Sequence, residues 1–176
     1  MKKIAIAFLI WSLIFGFRTA RAEWLFNKLP VTDSSYAKTD GSFGAMLQFT
    51  DKPEELFKIW NQEGLTVKVD FAEKISLEQE MTAVIIFSNS AADKKGNSNV
   101  TAVFAVVDPQ GKDIGSNEIE VWVDRPAPAH RNLELSVQHL TVTGTQLGFY
   151  TVKASVYDKI AGKLLDLERK FEVVEP

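Results

Sequence analysis

Over most of this chain apolar residues return at every second position. Leu65, Val67, Val69 and Phe71 alternate with Thr66, Lys68 and Asp70, a period that sets one side of an extended backbone against a core and the other in water. Ile119, Val121 and Val123 alternate in the same way with Glu118, Glu120 and Trp122. Residues 133–143 repeat the pattern in two short runs, Leu133/Leu135/Val137 and Leu140/Val142. Tyr150, Val152, Ala154 and Val156 form another inward set, and Leu165, Leu167, Phe171 and Val173 stand against Asp166, Glu168, Lys170 and Glu172. The runs Met81–Ser88 and Val100–Val107 are apolar on both phases and read as central strands covered on both faces. Between these segments lie the polar loop Asn89–Asn99, the turn Asp108-Pro109-Gln110-Gly111, the proline loop Asp124–Asn132 and the hairpin loop Asp158–Gly162. Their residues supply turn geometry rather than ladder hydrogen bonds.

One segment keeps a helical period. Thr50 or Asp51 is placed to cap it, Pro53 suits a first turn, and Glu54 and Glu55 sit at the positive end of the dipole. Leu56, Phe57 and Trp60 share a face before Gly64 stops the run. This predicts one short amphipathic helix over about residues 52–63, packed on a sheet edge or end, with Trp60 as a candidate partner contact. Residues 23–43 hold no sustained period and read as an extended lead-in, in which Trp24, Leu25 and Phe26 pack on the domain or meet a partner. The economical architecture is all-β: an antiparallel two-layer sandwich over residues 44–176, a single domain with one N-terminal helix.

The first 22 residues follow a different logic. Lys2 and Lys3 precede a 14-residue run without charge, Ile4–Phe17, and Ala20-Arg21-Ala22 offers a small-residue cleavage site before Glu23. That order is a secretory signal peptide, and the run is shorter than the roughly 20 apolar residues that span a bilayer. The reading places the protein in the periplasm or outside the cell, cleaved after Ala22. Cleavage removes Lys2, Lys3, Arg18 and Arg21 and no acid, taking the formal charge from −3 to −7. An acidic balance argues against nucleic acid as a partner. The absence of cysteine rules out a lipid anchor at the cleavage site, thiolate chemistry and disulfide staples.

The segment Leu147-Gly148-Phe149-Tyr150-Thr151-Val152-Lys153-Ala154 resembles the approach to the penultimate strand in immunoglobulin-like, fibronectin type III and macroglobulin-type domains. Val156-Tyr157-Asp158, Gly162 and the closing Phe171-Glu172-Val173 continue the likeness over roughly residues 80–176. The resemblance implies a tyrosine corner at Tyr150, bonded back to the preceding backbone. It lacks the paired cysteines of antibody domains, and it implies no activity. The stretch is also similar to small secreted proteins of Gram-negative bacteria.

Candidate chemistry is sparse. The two histidines, His130 and His139, form no metal-ligand spacing, no nucleophile elbow or phosphate loop is present, and neither a metal nor a cofactor is expected. Asp93-Lys94-Lys95-Gly96-Asn97-Ser98-Asn99 has the outline of a calcium loop, but Lys95 stands where an oxygen ligand belongs. Glu118 and Glu120 project from one side of a strand about 7 Å apart, a spacing compatible with an inverting glycosidase, although two acids on a wet strand face are ordinary. Trp122 shares their phase. Exposed, it is a stacking platform for a sugar or peptide; covered by loop 124–132 or by the helix, it is core. The leading expectation is therefore a non-catalytic interaction module for an envelope or secreted protein, using a sheet face, edge or loop. The alternatives are a small carbohydrate- or ligand-binding protein using Trp122 and Tyr157, and a glycoside hydrolase-like enzyme using Glu118 and Glu120.

Overall fold

The computed structural model of the chain describes residues 25–26, 29–30, 32–60, 71–129 and 133–176. The leader 1–22, Trp24, the alternating run 65–70, Gly64 and His130 lie outside the described residues. In chain order the elements are β1 (Leu25–Phe26), β2 (Leu29–Pro30), β3 (Ala37–Asp40), β4 (Phe43–Thr50), α1 (Pro53–Trp60), β5 (Lys74–Ser76), β6 (Glu80–Ser88), β7 (Asn97–Val107), β8 (Asp113–Pro126), β9 (Glu134–Leu135), β10 (Leu140–Thr143), β11 (Gly148–Asp158) and β12 (Lys163–Val174).

β1 and β2 form a two-residue antiparallel ladder. The remaining strands make two layers. One sheet runs β10-β6-β4-β3, with β9 also paired to β6; the other runs β5-β12-β11-β7-β8. All pairings are antiparallel except β5 with β12. The chain crosses to the second sheet for β5, returns for β6, crosses again for β7 and β8, returns for β9 and β10, and ends in the second sheet with β11 and β12. The order is that of an immunoglobulin-like sandwich, with β8 added beyond β7 as in variable-type domains.

The corner between β10 and β11 carries the hallmark tyrosine. The Tyr150 hydroxyl accepts the Gln146 N–H at 3.1 Å and lies 3.4 Å from the Thr145 hydroxyl, while its ring is fully buried. That ring stacks on Phe171 of β12 at 5.3 Å, and Phe171 meets Phe49 of the opposite sheet edge-on at 5.4 Å. These aromatics join Leu47, Met81, Ile85, Phe87, Phe104 and Val121 in one core between the layers.

β6 is buried on both faces. Met81, Ala83, Ile85 and Phe87 enter that core, and Val84 and Ile86 enter a second one on the outer side. Leu56 of α1 covers this outer face together with Ala37, Met46 and Leu135, and Phe57 and Trp60 pack against it. The helix thus lies on a sheet face rather than an edge or end. The Thr50 hydroxyl accepts the Lys52 N–H at the helix entrance. β7 differs from its apolar sequence: Val103 on its outer side is 46% exposed, because no element among the described residues covers that face of the second sheet. The lead-in also differs from expectation. Ala37–Asp40 pairs with β4 through a tight turn at Gly41 (φ +62°), so the sheet begins inside residues 23–43.

Replacing Tyr150 with Phe keeps the stacked ring and strips the Gln146 N–H of its partner. The expected loss is about 1–2 kcal/mol of unfolding free energy, read from urea unfolding with an unchanged slope. A loss indistinguishable from zero would show that the corner bond contributes nothing.

Candidate functional site

Trp122 is half-buried and turned toward the core rather than out on the polar face. β7 and β8 keep a regular register from Val106 opposite Gly115 to Thr101 opposite Glu120, but Val100 then faces Trp122. Val121 is therefore an extra, fully buried residue on β8, a β-bulge that turns the next side chain inward. The Trp122 ring lies 5.8 Å from Phe87 of the facing sheet and 5.3 Å from the Arg125 guanidinium. Its indole N–H donates to the Pro126 carbonyl at 2.9 Å. Two further irregularities skip Ile114, between the Val106–Gly115 and Val107–Asp113 pairs, and Asp124, held at φ +52°; β8 runs on to Pro126, into the segment read as a loop.

Glu118 and Glu120 are exposed on the outer side of β8. Glu118 pairs with Lys159 at 3.6 Å, and the Glu120 backbone N–H donates to the Gln138 side chain at 3.0 Å. Tyr157 is 38% exposed on the outer face of β11, opposite Leu164 and Thr101. Trp122 and Tyr157 thus occupy opposite faces of one sheet and share no platform. Trp60 is half-buried under the helix, packed on the second core. His139 stacks against Phe57 at 5.2 Å. Among the described residues no group of three His, Asp or Glu side chains is placed to hold a metal, and no helix is long and apolar enough to cross a membrane. The Asp93 carboxylate accepts the Asn97 and Lys95 N–H groups, at 2.9 and 2.8 Å. The bond from Asn97 is the main cause that holds its pKa below the usual range.

The two long margins of the sandwich are finished differently. Along β3 and β12 the gap is bridged. The Glu168 N–H donates to the Ser35 carbonyl at 2.6 Å and Lys163 Nζ to the Asp40 carbonyl at 2.5 Å. Arg169 occupies an inward phase of β12 and crosses to the other sheet. Its guanidinium bonds the Gln48 side chain, lies 3.4 Å from Glu73 and stacks on Tyr36 at 4.7 Å. Burial lowers its pKa, against the opposing pull of Glu73. Sequence reading passed over Arg169, though its signal was present: a cation on the 165/167/169/171/173 phase.

Along β8 and β10 the margin is closed only at one end. The Val137 N–H donates to the Val121 carbonyl at 3.1 Å, beside the Glu120–Gln138 bond. Glu134 of β9 faces Phe87 across the ladder, and burial raises its pKa. Below this point Asp113–Glu118 is exposed at every position. A cleft of about 250 Å³ opens there between Ile114, Gly115, Ser116 and Asn117 of β8 and Leu140–Thr143 of β10, with Val106 and Val142 buried in its lining. Gly115 leaves the cleft unobstructed: a Cβ there would meet nothing within 4 Å. In an antiparallel ladder one residue's N–H and C=O point to the same side, alternating along the strand. The register is continuous over 115–120, and the Glu120 N–H points away from β7. Those of Glu118 and Ser116 therefore do the same, and no bond to them occurs among the described residues.

No protein-family model matches the chain, and no curated protein sequence does. Among solved structures, a family 123 glycoside hydrolase from Clostridium perfringens aligns with 77% of this chain at 12% identity and a TM-score of 0.42. This chain covers 28% of that enzyme's length. The C-terminal domain of wzt aligns with 88% of the chain, itself covered to 87%, at 10% identity and a TM-score of 0.47. An immunoglobulin-like protein from Pseudomonas aeruginosa aligns over 81% of this chain and all of its own length, at 14% identity and a TM-score of 0.35. Strand order and the tyrosine corner mark the sandwich as immunoglobulin-like.

Burial of Glu134 gives a signed pH effect. A carboxyl whose folded pKa lies above the ordinary 4.5 favours folding while protonated. That contribution is complete below pH 4.5 and is lost as pH rises through the folded value. Glu134→Gln is uncharged throughout, so its thermal stability relative to the parent protein is expected to rise between pH 4 and pH 7. A difference that stays flat across that range would contradict the assignment.

Proposed function

We propose that this chain is a non-catalytic binding module, exported through its leader to the periplasm or cell exterior, that takes an extended segment of a partner protein along the open edge of β8. The observation that carries this reading is the exposed half-strand Asp113–Glu118, paired on one side only and bordered by a cleft with buried apolar lining. A strand added at such an edge gains main-chain hydrogen bonds, and pockets for alternate side chains supply selectivity. The available donors and acceptors at Ser116 and Glu118 accommodate four or so such bonds. Closure at Val121 and Glu120 sets one end of the site.

Two features support this reading over the other expectations. The outer face of the β6 sheet is already covered by α1, with Trp60 half-buried against the second core. Trp122 is held by Phe87, Arg125 and Pro126, which leaves Tyr157 without the second aromatic that a sugar platform would use. Glu118 and Glu120 take the role of edge charges in this proposal.

Ser116→Pro removes one edge-facing N–H and no bond to β7, a position where an edge strand tolerates proline. Selection from a displayed library of extended octapeptides is expected to yield ligands that slow exchange of the Ser116 and Glu118 amides. Ser116→Pro is expected to weaken these ligands by about tenfold or more, the equivalent of one or two lost hydrogen bonds, without changing the circular dichroism. Ligands that protect amides elsewhere, or that bind the proline variant unchanged, would refute strand addition at β8.

A further inference from the structure

Resting on that strand-addition reading, we infer the chemistry of the segment that β8 accepts: a short extended stretch alternating apolar with basic residues. Cross-strand neighbours share a face, with Cβ atoms about 4.5–5.5 Å apart, and residues two further along lie within reach of long side chains. Partner residues opposite Gly115 and Asn117 therefore project inward to the cleft lined by Val106, Leu140 and Val142. Its volume of about 250 Å³ suits one or two aliphatic side chains and little more. Partner residues opposite Ser116 and Glu118 project outward. There Glu118 is a direct neighbour and Glu120 a diagonal one, both exposed at the edge. The cation near them is Lys159, 3.6 Å from Glu118 with both side chains largely in solvent, an arrangement that a partner lysine or arginine displaces at little cost.

Glu118 also argues against the other occupant this edge invites, a second copy of the chain. In a twofold pairing of β8 with β8 centred on Asn117, which joins the free edge groups of Ser116 and Glu118, the Glu118 carboxylates of the two copies become diagonal neighbours. Like charges at that spacing destabilise a ladder. An edge left uncovered but negatively charged therefore excludes its own copies while accepting a cationic strand.

The probes are three blocked octapeptides, (Lys-Val)4, (Thr-Val)4 and (Glu-Val)4, titrated into the protein at low salt and followed through its amide resonances. (Lys-Val)4 is expected to perturb Ser116 and Glu118 and to bind about tenfold tighter than (Thr-Val)4, with (Glu-Val)4 weakest. The Lys-over-Thr preference is expected to vanish in the double variant Glu118→Gln/Glu120→Gln and to shrink at 0.5 M salt, a concentration that screens exposed charges. If Lys and Thr peptides bind equally well at Ser116 and Glu118, the charge inference fails and strand addition survives. If no peptide perturbs those amides, strand addition itself fails. A doubled mass of the unliganded parent protein in sedimentation, abolished by Ser116→Pro, would assign the edge to a second copy and overturn the inference.

Discussion

The constraint on which this molecule turns is that β8 is longer than the layer facing it. β8 carries 14 residues, whereas the opposing margin offers two in β9 and four in β10. A backbone amide or carbonyl needs a partner in the protein or in water. Residues 137 and 138 serve Val121 and Glu120, and beyond them the strand continues with ladder bonds on one side only. Exposure of every position from Asp113 to Glu118 follows from that mismatch in length, as does the cleft beneath them. At the closed end the bulge at Val121 delivers Trp122 to Phe87, so the sandwich is sealed on one side of Glu120 and open on the other.

The rest of the fold makes this opening affordable. Without cysteine, cohesion comes from the aromatic contacts Phe49–Phe171 and Tyr150–Phe171 and from aliphatic burial around them. The far margin is tied by Arg169, whose buried charge is satisfied by Gln48, Glu73 and the Tyr36 ring rather than left alone, an arrangement that avoids the large cost of an unpaired interior cation. α1 covers the outer face at Met46, Val84 and Ile86.

Period-two reading recovered the two layers because alternation is a local consequence of pleating. The tyrosine corner and the helix were legible for the same reason: each has a short-range signature. Trp122 was misplaced because parity counting assumes an unbroken register. One inserted residue at Val121, invisible in a string where Ile119, Val121 and Val123 already alternate, reverses the faces beyond it. β3 was missed because Ala37-Lys38-Thr39-Asp40 has no apolar period and is recruited by its turn and by β4. The exposed Val103 shows the converse: an apolar run marks a strand, while cover on its second face depends on an element placed elsewhere in the chain. The candidate cleft was the least legible feature. Its parts come from β7, β8 and β10, and an unmatched strand length emerges only when both sheets are assembled.

Sheet edges are guarded in two physically distinct ways. Cover, as α1 gives the first sheet's outer face, excludes every partner alike because it removes the surface. Charge excludes by sign: it raises the free energy of pairing with a like-charged strand and lowers that of pairing with an opposite one. β8 is guarded in the second manner by Glu118 and Glu120, while Gly115 places no side chain toward the cleft. A protein that needed only to stay monomeric would be equally well served by a shorter β8 or a longer β10, with no apolar lining left near water. Under the proposed function, a long strand, an open cleft and an electrostatic guard together discriminate between partners, which cover alone does not.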